Sequence, residues 1–408
     1  MKQTRNFPSV QVTRKQEASL HSGHPWVYAD EIHTDTSAFE NGCLVDVLSL
    51  KGQYLGTGLY SEKSLIRIRI LSTNANEKFD RAFFARRAAY ALQYREDVMA
   101  EQDLACCRLI HGEADGLPGL TVDRYNGILV SEVLSYGMEQ RKEMIYEELI
   151  NQLEAKGNRI EGIFERNEGA LRLKEGLNTY KGWYELKGRT HPSAITVIEE
   201  NGLQFEVDVE NGQKTGYFLD QKDNRMAVRR LAHSKKVLDC CTHTGSFALN
   251  AAKGGAVSVT AMDISASAIE MAQKNAELNG MKDAVHFETG DIFEVLQAKA
   301  AAHEKYDLII LDPPAFTKSR KTFHNAWMGY ESINMQAMRL LNRGGYLVTN
   351  SCSHFMPKDE FIKMLSSAAA KMNVSLRLVA EERASKDHPV LINVPETDYL
   401  KFFIVQIL

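Results

Sequence analysis

No stretch of this chain approaches the run of about 20 apolar residues that spans a bilayer. The opening segment, MKQTRNFPSVQVTRK, is polar and basic and lacks the apolar centre of a secretory signal. Neither a membrane protein nor a secreted one is expected. Cysteine is scarce, six in 408 residues, and no two stand as C-x-x-C; Cys106-Cys107 and Cys240-Cys241 are adjacent pairs, a poor geometry for a disulfide framework. Reduced thiols and a cytoplasmic location are the expectation. His21 and His24 have no cysteine or carboxylate at ligand spacing, so no metal is expected. Net charge is almost absent, 49 Lys and Arg against 53 Asp and Glu, which neither demands nor forbids a nucleic-acid partner. With 44% hydrophobic and 25% charged residues, the chain reads as globular, and its length predicts two or three domains.

Three regions follow one another without a low-complexity linker or an internal repeat. The first 75 residues are β-rich: CLVDVLSL, QYLGTGLY and SLIRIRIL alternate, punctuated by Asn41-Gly42 and Lys51-Gly52. Arg67 and Arg69 share a face of the last of these strands and are expected to offer a basic surface to phosphate. The helical pattern FDRAFFARRAAYALQYRE opens a second, α+β region. It continues through CCRLIHGEADGLPGLTVDRY, ILVSEVLSYG, a helix over 139–156, GIFERNE and LNTYKGWYELKG. From about residue 200 short apolar runs (KKVLDCC, VSVTAMDI, VHFETGD, YDLIILD, GYLVTNSC) alternate with helical stretches, one of them expected to stop at Gly344-Gly345. That alternation predicts βαβ units, a mainly parallel sheet, and ligands at its carboxyl edge. SLRLVAE and YLKFFIVQIL are expected to add strands at one side.

The strand ends of this third region carry the chemistry. Asp239-Cys-Cys-Thr-His-Thr-Gly245 is a turn of small residues that lets backbone approach a ligand, and Asp263 follows where an acid accepts from ribose hydroxyls. The G-x-G-x-x-G fingerprint is missing, which disfavours a pyrophosphate-bearing cofactor. A ribose without phosphate fits better, and S-adenosylmethionine is the cofactor so implied. Asp291, at the third strand end, is placed to accept from an adenine amino group.

Asp312-Pro-Pro-Ala-Phe316 ends the fourth strand. Two prolines stiffen the turn, Asp312 presents its carboxylate to a base edge, and Phe316 is placed to stack on that base. Lys318, Arg320 and Lys321 follow, where they are expected to meet RNA phosphate. Asn350-Ser-Cys352-Ser-His354 ends the fifth strand, and Cys352 lies one strand from the Asp312 turn. Carbon 5 of a pyrimidine is a poor nucleophile until a group adds at carbon 6, and a thiolate suits that role.

These segments resemble the ribosomal RNA large-subunit methyltransferase I family. His24-Pro-Trp-Val27, HGEADGLPGLTVDRY (111–125), NGQKTGYFLDQKDNR (211–225), DHPV (387–390) and TDYLK carry the resemblance along essentially the whole chain. It implies an α/β protein in three parts: a PUA-like RNA-binding domain over 1–75, a central α+β EEHEE domain over 76–188, and a Rossmann-like class I methyltransferase domain over 189–408. It places Tyr217 and Phe218 beside S-adenosylmethionine, matches Asp239, Thr244, Gly245, Asp263 and Asp291 to cofactor motifs, Asp312 to the base-facing turn and Cys352 to the nucleophile. The implied substrate is a cytosine of 23S ribosomal RNA, naked or in a large-subunit particle, methylated at carbon 5, and the family's tendency to pair implies a homodimer. His243, where the family often has an aromatic residue, and His354-Phe355, in place of Gly and Leu, depart from its pattern. Related enzymes methylate guanine N7, which needs no covalent nucleophile and is the alternative chemistry. A methyltransferase fold kept only as an RNA-binding assembly factor is the third.

Overall fold

The alternating runs near the start pair as a five-stranded sheet. The structure, a computed structural model, describes residues 6–317 and 319–408. They form two compact units. The first holds the described residues up to Thr196 with Val207–Leu219 and Lys386–Thr397; the second holds Val197–Glu206, Asp220–Ser385 and Asp398–Leu408.

In the first unit the strands run in the order Ser9–Gln11, Leu44–Leu48, Tyr54–Tyr60, Ile66–Ser72, Trp26–Tyr28. Their alternation buries Val10, Val45, Val47 and Ile68 completely. At Gly58 a Cβ would lie 2.4 Å from the Arg69 carbonyl, so the crossing of these strands admits no side chain there. A second sheet, in the order Tyr180–Tyr184, Gly162–Asn167, Ile128–Val133, Leu120–Tyr125, Cys106–His111, is covered by helices Arg81–Val98 and Lys142–Ala155. Asp80 caps the first of these helices, its side chain accepting from Phe83 N at 3.1 Å.

Two sequence signatures prove to be one brace. Arg95, 1% exposed, donates to the Arg108 carbonyl (2.7 Å), Asp115 Oδ1 (2.6 Å) and the Asp387 carbonyl (2.8 Å). Asp387 Oδ2 accepts from Arg108 N at 2.8 Å, and the His111 and His388 rings lie 5.2 Å apart. A buried guanidinium is tolerated because each of its nitrogens finds an acceptor. The segment carrying Asp387 thereby packs onto the sheet of the first unit, some 280 residues away in sequence.

Arg69 departs from the expected basic surface. It is 7% exposed and pairs with buried Glu175 at 2.7 Å, so its charge is spent inside the unit. Arg67 is half-buried and donates to the Ser61 carbonyl at 3.0 Å.

The second unit is a seven-stranded sheet: β1 (Lys236–Cys240), β2 (Ser258–Asp263), β3 (Val285–Thr289), β4 (Tyr306–Leu311), β5 (Leu341–Ser351), β6 (Leu376–Glu382) and β7 (Lys401–Ile407). They lie in the order β3-β2-β1-β4-β5-β7-β6; β1 to β5 are parallel, and β7 enters antiparallel between β5 and β6. Helices α1 (Lys222–Leu231), α2 (Ser246–Lys253), α3 (Ala266–Leu278), α4 (Ile292–Ala301), α5 (Phe323–Leu340) and α6 (Lys358–Met372) accompany it. The order reverses at β1, so β1 and β4 flank the switch point where such sheets take ligands.

The helix expected to stop at Gly344-Gly345 ends earlier, at Leu340. The strand β5 starts at once and bulges, its partner register jumping between Tyr306 and Leu308. Gly344 supplies the bulge with φ +83°, and Asn342 Nδ2 ties it to Asp307 at 2.8 Å. A hairpin at Ile195–Glu200 and Leu203–Asp208 went unread in the sequence, although Asn201-Gly202, both at positive φ, is its turn. No helix among the described residues is long and apolar enough to cross a membrane.

Candidate active site

The strand register lines up the functional residues along one edge. Asp263 pairs with Thr289, Cys240 with Met262 and Leu311, and Leu311 with Thr349. Residues just past these positions therefore share the carboxyl edge. With strands about 4.8 Å apart, the end of β5 lies roughly 10 Å from the end of β1.

After β1 the chain makes three left-handed residues in five: Cys241 (φ +62°), His243 (+52°) and Gly245 (+82°). The two non-glycine residues are strained, as functional turns often are. A Cβ on Gly245 would stand 3.0 Å from the Ala272 side chain of α3, so glycine is required by φ and by space. Asp239 is fully buried. Its Oδ2 accepts from Thr242 Oγ1 at 2.5 Å, and burial, with the negative Asp312 and Asp263 nearby, pushes its carboxyl up to about 8. Asp239 Oδ1 and Thr244 Oγ1 are buried with no protein hydrogen bond among the described residues. Orphaned acceptor and hydroxyl atoms at a strand end leave hydrogen-bonding capacity that a polar ligand can fill.

Asp263 is held firmly: Oδ2 accepts from His243 N and Oδ1 from Ser265 N, both at 2.9 Å. A carboxylate oxygen keeps a second lone pair, so the ribose role remains open to it. Asp291 caps α4 through Phe293 N at 2.8 Å. Asp312 Oδ1 accepts from Gln221 Nε2 at 3.3 Å. Phe316 is half-buried against Tyr330 (ring centroids 4.6 Å) and Phe293 (6.1 Å), and the bare Gly329 makes room for it.

Cys352 is half-buried, one residue past β5. Ser351 Oγ donates to Tyr330 Oη at 3.0 Å, and Ser353 Oγ donates to the Thr317 carbonyl at 2.9 Å. These two bonds hold the bend around the thiol. Burial, and then the charges of Cys352 and Asp312, push the Tyr330 phenol up to about 12.

The sequence-predicted residues are thus brought together in part. Asp239, Thr244, Gly245, Asp263, Asp291, Asp312, Phe316 and Cys352 all belong to the second unit and to the same sheet edge. Tyr217 and Phe218 belong to the first unit, where Tyr125 Oη donates to the Tyr217 carbonyl (3.4 Å) and Lys214 Nζ lies 4.4 Å from the Phe218 ring. Lys318 and the Arg320 side chain lie outside the described residues, and Arg320 backbone forms part of a short helical turn, Arg320–Thr322. Sequence reasoning missed Gln221, Tyr330 and Lys401. The signal for Lys401 was present as a lysine opening a mostly apolar strand; Gln221 and Tyr330 had none.

Residues 183–394 match the S-adenosylmethionine-dependent methyltransferase family, and residues 10–73 match the PUA-like domain. Proteins called "Ribosomal RNA large subunit methyltransferase I" are similar along nearly the whole length. That of Shewanella denitrificans is 39% identical over 394 residues (96% of this chain, 97% of the relative) and that of Klebsiella pneumoniae 37% over 403 residues (98% and 99%). A solved structure described as a methyltransferase complexed with SAH superposes with a TM-score of 0.83 at 20% identity, covering 98% of this chain and 100% of the other.

Proposed function

From the premise that this chain belongs to the ribosomal RNA large subunit methyltransferase I family and is an S-adenosylmethionine-dependent methyltransferase, we propose that it forms 5-methylcytosine in 23S ribosomal RNA through a covalent bond from Cys352. The observation that carries this reading is the position of a half-buried thiol at the end of β5, beside the Asp312 turn and on the edge that carries the cofactor acids.

Asp239, Thr244, Gly245, Asp263 and Asp291 would hold S-adenosylmethionine. The orphaned Asp239 Oδ1 and Thr244 Oγ1 fit a polar ligand, and the bare Gly245 lets it approach backbone. When bound, this cofactor supplies an electrophilic methyl group on a sulfonium. Phe316 stacks on the base and Asp312 faces its polar edge. The Cys352 thiolate adds to carbon 6, and the displaced electron pair makes carbon 5 nucleophilic enough to take the methyl. Loss of the carbon-5 proton and departure of the thiolate restore the ring double bond. On this reading the work is cytoplasmic, with the PUA-like domain on the RNA.

The test is methyl transfer to 23S RNA from cells lacking the gene, together with trapping on RNA containing 5-fluorocytosine. Label in 5-methylcytidine and a covalent adduct, both lost in Cys352→Ala, is the expected result. Label in 7-methylguanosine that survives Cys352→Ala would overturn the covalent reading and leave the fold and cofactor standing.

A further inference from the structure

β7 begins with a charge where its pattern calls for an apolar residue. Lys401 opens the run Lys-Phe-Phe-Ile-Val-Gln-Ile and is 7% exposed. Burying an ammonium is unfavourable unless the charge is compensated. Its two hydrogen-bond acceptors among the described residues are main-chain carbonyls, Ser353 at 2.6 Å and Tyr399 at 2.7 Å. Carbonyls orient the group without neutralising it. The ladder pairs Lys401 with Ser351, and the Ser353 carbonyl lies one residue beyond Cys352, so the ammonium is held against the bend that carries the thiol.

The charges around it point the same way. Burial draws the Lys401 ammonium down to about 8, and the groups that push it back up are Cys352 first and Asp398 second. Asp398 is exposed and 3.7 Å from Arg383, so its charge is shared with another cation. Around Cys352, α5 contributes the Tyr330 phenol, neutral at pH 7, which also feels the Asp312 carboxyl of the β4 turn. On the β7 side stand Lys401 and Tyr399, the latter with its ring 5.5 Å from that of His354. A cation held at this bend favours the anionic form of the thiol, and the thiolate in turn favours the ammonium.

We propose that Lys401 is the proton partner of Cys352: it takes the thiol proton and stands as an ammonium beside the thiolate. This rests on the covalent reading above and supplies its missing step. The S–H bond breaks, an N–H bond forms, and the pair stays neutral overall. The sulfur then bonds carbon 6 with an electron pair that returns to sulfur at elimination, so the thiolate leaves toward the same ammonium. The arrangement lowers the barrier to attack and to release alike.

The full-length protein is alkylated with iodoacetamide across pH 5–10, and the Cys352 peptide is followed by mass spectrometry. The wild-type rate should reach half its maximum below the range of an ordinary thiol, about 8.5. Lys401→Met should move that midpoint upward and slow alkylation at pH 7 by about tenfold. Calorimetric binding of S-adenosylmethionine certifies that the variant is folded. A wild-type midpoint at or above 8.5, which needs no variant, overturns the proposal. So does an unchanged midpoint in folded Lys401→Met. The 5-fluorocytosine adduct separates the two readings. An adduct with no pH shift removes the role of Lys401 and keeps the cytosine chemistry, whereas a shift with no adduct keeps the ion pair and removes that chemistry.

Discussion

Arg225 of α1 and Glu200 of the hairpin form a two-pronged ion pair, with Nε and Nη2 donating to the two carboxylate oxygens at 2.6 and 2.7 Å and both side chains 1% exposed. This pair ties residues before the sheet to the helix that leads into β1. Breaking one side leaves an uncompensated buried charge, which costs about 3–5 kcal/mol. Glu200→Gln should therefore lower the urea stability of the protein by that amount. Replacing both residues with methionine should cost much less. Equal losses in the two variants would show that the charge itself is not the issue.

Asp239 predicts a pH dependence of stability. In the folded protein burial raises its carboxyl to about 8, against 3.8 for an unperturbed aspartate. The folded state keeps a proton that the unfolded chain releases. The stability tied to that proton is complete below about pH 4 and is lost as the pH rises to about 8. Asp239→Asn cannot ionise and should escape the loss. Urea midpoints at pH 5 and pH 8 should show the variant gaining on the wild type at the higher pH. Parallel changes in the two proteins would refute the assignment.

Gly245→Ala should weaken cofactor binding and stability together. The residue sits at φ +82°, and its new methyl would press on Ala272 at 3.0 Å. A left-handed non-glycine residue costs roughly 1–2 kcal/mol. Calorimetry of S-adenosylmethionine binding and a thermal melt should both register the change. Normal binding in this variant would mean that the turn is not at the cofactor.

Phe316→Ala separates base recognition from cofactor binding. Loss of one base–aromatic stack is worth about 1–3 kcal/mol, so the KM for RNA should rise roughly 5- to 150-fold. Affinity for S-adenosylmethionine should stay unchanged. A fall in cofactor affinity instead would place Phe316 against the sulfonium or adenine.

The strands of the third region were legible because apolar runs alternate with helical periodicity, and each run ends in a polar or reactive residue type. Asp239, Asp263, Asp291, Asp312 and Cys352 stand out for that reason, with no structure needed. A chain read in order shows where a strand ends, and the ends of parallel strands share one edge. What sequence alone could not decide is which charges are spent. Arg69 reads as a phosphate contact and is instead neutralised by Glu175, a residue 106 positions away. Lys401 reads as a strand's exposed first residue and is buried with its amine on the Ser353 carbonyl, because β7 inserts antiparallel next to β5 and sets Lys401 opposite Ser351. The left-handed turns at Cys241 and His243 were also hidden, since neither residue type announces positive φ. Pattern follows from local backbone periodicity and is written in the chain. Pairing of charges depends on long-range register, which only the assembled sheet decides.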